Sequence, residues 1–126
     1  KLATHNSASD KAGPKFVNGQ VEMLPQVKEA FDAYAQAGFI AGRYDYELGG
    51  MQLPESVMAA CNGFFTAANP GTAGYPFLTA AAANLIRVFG DEAQKTTFLP
   101  HMLRGRSRGT MALTDPHHLP LRHLRS

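Results

Sequence analysis

One segment limits the fold more than any other: PFLTAAAANLIRVFG, Pro76 to Gly90. Leu78, Ala81, Ala82, Leu85, Ile86 and Phe89 recur at the spacing of a helix face. The run Ala80 to Ala83 adds helix propensity without bulk, so a second helix can approach closely. The spacing therefore predicts a helix from about Pro76 to Phe89, central and buried, with Gly90 as its stop.

Around it the same period recurs. Val27, Ala30, Phe31, Tyr34 and Ala35 form one stripe after Pro25, with Lys28, Glu29 and Asp32 off it, and Gly38 suits the exit. Pro54-Glu55 opens another helix, whose apolar face is read as Val57, Cys61, Phe64, Phe65 and Ala68. Asn69-Pro70-Gly71 closes that helix. Between the two lies AGRYDYELGGMQLP, in which Gly49-Gly50 is expected to supply unusual backbone angles. Asp91 with Gln94 has the form of a capping box for a further helix carrying Phe98 and Leu99. Pro100 is expected to break or restart it.

After the basic turn from Gly105 to Gly109 the period changes from helix to strand. Met111 and Leu113 point one way, and Thr110, Ala112 and Thr114 the other. The expected organisation is an irregular lead-in over 1–24, with turn signals at Gly13-Pro14 and Asn18-Gly19. A helical domain follows over 25–108, a strand over 109–116 and a tail over 117–126. The fold class is all-α, four to five helices, with one C-terminal strand that would begin a β domain.

Charge and composition narrow the function. The net charge is +2, but five of seven arginines and four of five histidines lie from His101 onward. The basicity belongs to the end of the chain, and its arginines lack interleaved aromatics, so no nucleic-acid partner is expected. His117, His118 and His123 have no acid or cysteine among them to complete a metal site, so none is assigned. The single Cys61 excludes an internal disulfide and fits a reducing compartment. No stretch is long and apolar enough to span a bilayer. The expected location is cytoplasmic.

The stretch ANLIRVFGDEAQKTTFLPHMLRGRSRGTMALTDP (Ala83 to Pro116) resembles the acyl-CoA dehydrogenase family of flavoproteins. The resemblance rests on Phe89-Gly90, Glu92 with Gln94-Lys95, Leu99-Pro100, the glycines 105 and 109, and Leu113-Thr114-Asp115-Pro116. Upstream, YELGGMQLPESV is similar to the Gly-Gly loop and following helix of that family. FVNGQVEMLPQVKEAFDAYAQAGF looks like its longer-subunit members. The likeness covers roughly residues 15 to 116.

That resemblance implies FAD as cofactor and an acyl-CoA as substrate. It implies α,β-dehydrogenation of the thioester, by proton abstraction and hydride transfer to flavin N5. It also implies an electron-transfer flavoprotein or similar acceptor, and a homo-oligomer at full length. Leu113 is then expected to offer backbone contacts to the flavin ring, Thr114 its hydroxyl near N5, and Met111 its side chain at the ring edge. Tyr75, Phe77 and Leu78 are expected to wall the acyl pocket. No catalytic residue is expected in this chain, because the family's glutamate lies far downstream, so the chain alone should be inactive. Beyond Pro116 the family's small residues are replaced by His117-His118-Leu119-Pro120-Leu121, which implies truncation or a frameshift there. The competing reading is a non-catalytic helical interaction module.

Overall fold

Four main helices follow from the four apolar stripes, and a computed structural model describes them over residues 1–110. The lead-in is more ordered than its polar composition suggests. A 3-10 turn at Ala3–His5 runs into helix α1 (Asn6–Ala12), and strands β1 (Lys15–Val17) and β2 (Gln20–Glu22) then pair antiparallel. The reason is Asn18-Gly19, whose φ values of 50° and 78° give the turn that closes a two-residue hairpin. The expected irregular 1–24 is thus corrected to a short helix and a hairpin.

Helix α2 (Pro25–Gln36) begins with Pro25 in its first turn and buries Val27, Ala30, Phe31 and Tyr34 as the spacing predicts. Gly38 at φ 80° ends it. A 3-10 turn at Phe39–Ala41 then sends Ile40 and Ala41 into the core. In the following loop the two glycines serve different needs. Gly49 takes φ 79°, whereas at Gly50 any Cβ would sit 1.9 Å from the Tyr44 carbonyl oxygen. Only the first is there for its backbone angle.

Helix α3 (Glu55–Ala68) buries Met58 and half-buries Cys61, Asn62, Phe65 and Ala68. Val57 and Phe64, expected on the inner face, are 43% and 77% exposed. The helix carries two apolar stripes, and the one that docks runs through Met58, Asn62 and Phe65. Asn62 is an amide among apolar neighbours, so pattern reading passes over this stripe.

Helix α4 (Pro70–Phe89) starts at Pro70 rather than near Pro76. Asn69-Pro70-Gly71 does end α3, but the same residues begin α4. The Asn69 side chain accepts the Thr72 N–H at 3.0 Å, and proline occupies the first turn, where its missing N–H costs nothing. Pro76 lies inside the helix and is buried. Helix α5 (Glu92–Leu103) has the full capping box: Gln94 N–H donates to Asp91 Oδ1 at 2.7 Å, and Asp91 N–H donates to Gln94 Oε1 at 3.0 Å. It continues through Pro100, where a break was expected. Leu99, Met102 and Leu103 are each at most 5% exposed, and their burial on both sides of the proline offsets its cost of about 3 kcal/mol.

Helix α4 is the centre, packed against α1, α2, α3 and α5. Ala83, from the alanine run, is wholly buried, as its small size requires at the crossing. The core joins Phe31, Tyr34, Ile40, Ala41, Tyr44, Ala83, Leu99, Met102 and Leu103. Of the strand expected at 109–116, Gly109 and Thr110 are not in strand conformation. The rest lies outside the described residues. No described helix is long and apolar enough to cross a membrane.

Candidate functional site

Helix α4 presents different chemistry on its two sides, and the residues singled out by sequence divide between them. Tyr75 is half-buried and turned towards α2 and the segment before it; its hydroxyl donates to Met23 Sδ at 2.7 Å. Phe77 lies two residues on, about 200° round the axis, and is 64% exposed. Leu78 is half-buried on the Tyr75 side. Tyr75, Phe77 and Leu78 therefore do not form one wall.

Phe77 borders a cavity of about 290 Å³ between α3 and α4. Pro76, Ala80, Ala81 and Met58 supply apolar surface, Asn62 and Asn84 supply amides, and Arg43 with Glu55 closes one rim at 3.5 Å. Tyr34 donates its hydroxyl proton to Asn62 Oδ1 at 3.1 Å. Burial, with a smaller contribution from nearby Cys61, raises the Tyr34 phenol to about 12. It therefore stays a neutral donor throughout the ordinary pH range. Tyr34 also packs edge-on against Phe65, with centroids 4.9 Å apart, so the amide and the aromatic cluster fix each other. Asn62 had no signal in the sequence except as a polar interruption of an apolar helix. Burial also raises the Tyr44 hydroxyl, against the opposing charges of Arg43 and Arg87.

The chain leaves α5 by a closely fitted path. Gly105 takes φ 70°, and a Cβ there would stand 2.5 Å from Ala35 Cβ. The Arg108 guanidinium lies 4.6 Å from the Phe31 ring centroid and 5.9 Å from that of Tyr75. Gly109 N–H donates to Thr79 Oγ1 at 3.2 Å, while that hydroxyl donates to the Tyr75 carbonyl at 2.8 Å. A Cβ on Gly109 would stand 2.5 Å from Ala82 Cβ. These glycines, expected to mark a turn, allow the backbone to lie against the helices. Met111, Leu113 and Thr114 come immediately after, outside the described residues. Among the described residues no group of three or more His, Cys, Asp or Glu could hold a metal ion.

Fold and exit path together define a helical module built round one central helix that is apolar on two sides. Its sequence matches the model of the acyl-CoA dehydrogenase N-terminal domain over residues 10–106, and the chain belongs to the acyl-CoA dehydrogenase family. It is 32% identical over 115 residues to 3-methylmercaptopropionyl-CoA dehydrogenase of Ruegeria pomeroyi, covering 91% of this chain and 20% of that protein. It is 33% identical over 118 residues to butyryl-CoA dehydrogenase of Syntrophomonas wolfei, covering 91% of this chain and 19% of that one. The chain thus spans about a fifth of the length of these curated relatives.

Proposed function

We propose that this chain is the N-terminal part of an FAD-dependent acyl-CoA dehydrogenase, which desaturates an acyl-CoA thioester between its α and β carbons. The observation that supports this most is the family match over residues 10–106, together with an exit path that leads directly into Met111-Ala112-Leu113-Thr114. When bound, the flavin accepts the substrate's β hydrogen as hydride. Thr114 would hold a hydroxyl near N5, where a donor stabilises developing charge. Leu113 would give backbone contacts to the ring, and Met111 would lie at its edge. The described residues carry none of these contacts, so the proposal for them rests on the sequence motif.

Phe77, on the outer side of α4, is the better placed of the three proposed acyl-pocket residues, because it borders a cavity with both apolar walls and amides. Tyr75 and Leu78 would act from the other side. The α-proton base, the electron acceptor (an electron-transfer flavoprotein or a similar protein) and oligomer contacts would come from parts outside this chain. The chain alone would be inactive. A cytoplasmic location is part of the same proposal, supported by the single half-buried free cysteine.

The test is a graft. Residues 1–116 would replace the matching segment of the Ruegeria enzyme, and the purified protein would be examined for bound flavin and for its bleaching by acyl-CoA. A yellow protein that bleaches is expected, with slower bleaching in Thr114→Val. A colourless but folded graft would sink the flavin-site assignment, and the non-catalytic helical module would become the better reading.

A further inference from the structure

The Tyr75 side of α4 holds a second cleft, away from Phe77. Two cavities, of about 270 and 320 Å³, adjoin there between α2, α4 and the lead-in, and share Met23, Leu24, Val27 and Tyr75 as walls. Three observations give this cleft a chemistry. Its shared walls are apolar apart from one hydroxyl. Among the described residues that hydroxyl, on Tyr75, has only the Met23 thioether as partner, and sulfur is a weak acceptor. Finally, Arg108 borders the smaller cavity, and no carboxylate pairs with it among the described residues.

The neighbouring charges sharpen the picture. Lys28, also at the rim of the smaller cavity, is already paired with Asp32. Asp10 lies in the larger cavity, beyond Met23 and Leu24, and disfavours an anion at that end. The cationic and donor groups therefore stand at the Arg108 end, and the apolar walls lead away from it. A cleft of this size, with apolar walls and one polar end, suits a small amphiphile.

We propose that this cleft binds a free short- to medium-chain carboxylate. Its carboxylate group accepts from the Arg108 guanidinium and the Tyr75 hydroxyl, and its alkyl chain lies along Leu24 and Val27. Guanidinium donors match a carboxylate, and charge-assisted bonds are the stronger class. A thioester lacks the charge that Arg108 requires, so this site selects the acid over its esters. The inference does not depend on the flavoenzyme reading, since every residue involved is in the described part of this chain.

Titration of the 126-residue protein with octanoate, by calorimetry, tests it. One saturable site is expected, with methyl octanoate binding at least about tenfold more weakly. Arg108→Gln should weaken octanoate by about tenfold or more and Tyr75→Phe by roughly threefold, both with unchanged circular dichroism. Val88→Ser, on the opposite side of α4, should leave the affinity as it was. Absence of saturable binding would overturn the proposal. So would binding that falls with Val88→Ser and ignores Arg108→Gln, which would mean adsorption to the outer apolar surface.

Discussion

The two sides of α4 both carry apolar residues and meet opposite fates. Inward, Ala73, Pro76, Thr79 and Ala83 are buried, and each is small enough for neighbouring elements to close over it. Outward, Phe77, Leu85 and Val88 are 64%, 57% and 51% exposed. A helix that is apolar all round belongs inside a larger body. The difference between the two sides is thus one of partners: α2, α3 and α5 cover the first, and the second is left largely exposed. Val57 and Phe64 on α3 are likewise exposed.

If the inner side carries the stability, the largest losses must come from residues that meet it. Phe31 is 2% exposed and supports both the core and Arg108. Phe31→Ala should cost about 3–5 kcal/mol, read as a lowered midpoint in chemical denaturation. A loss under about 1 kcal/mol would mean that the core is not closed around α2.

Next comes Asn69, wholly buried, which caps α4 through Thr72 N–H and donates to the Leu2 carbonyl at 3.1 Å. Asn69→Ala removes both bonds and should cost about 2 kcal/mol. Asn69→Asp keeps the cap and loses the donor to Leu2, so it should fall between the two. Equal losses in both variants would place the whole effect in the lead-in contact.

Tyr34 gives a pH test of the inner side. Its phenol is raised from 10.0 to about 12, so between those values the unfolded chain has lost the proton that the folded chain keeps. Stability from this group is intact below about pH 10 and is lost as pH rises towards 12. Tyr34→Phe should flatten that alkaline decline while sacrificing the bond to Asn62. A decline of the same steepness in the variant would assign it to other groups.

The sequence made the inner side legible wherever an apolar stripe ran without a polar break. The α2 stripe, the Asp91 capping box and the Ala80–Ala83 crossing are all found as their residues predict. It misled at the punctuation. Pro76 read as a helix start and Pro100 as a break, yet tertiary packing holds both inside helices, because local signals carry no information about what the flanking residues will bury. On α3, Phe64 read as core because its period fits, and a single stripe cannot say which of two apolar faces finds a partner. The lead-in was missed because a hairpin of two three-residue strands has no hydrophobic period to read. Site residues fared similarly: Tyr75, Phe77 and Leu78 were read as walls of one pocket, and the helix sends Phe77 to the far side.

The smallest effect on stability should come from the outer side, and it separates the two faces most cleanly. Leu85→Ser and Val88→Ser together remove apolar side chains that already stand in water, so each should change stability by no more than about 0.5 kcal/mol. They should nevertheless change how the molecule associates, because large exposed apolar side chains favour contact with another body. In sedimentation, the unaltered chain is expected to self-associate with rising concentration, and the double variant to remain monomeric. A monomeric unaltered chain would show that the exposed side tolerates water and needs no cover. A large loss of stability in the double variant would show instead that the outer side is packed in solution, and the contrast between the two faces would collapse.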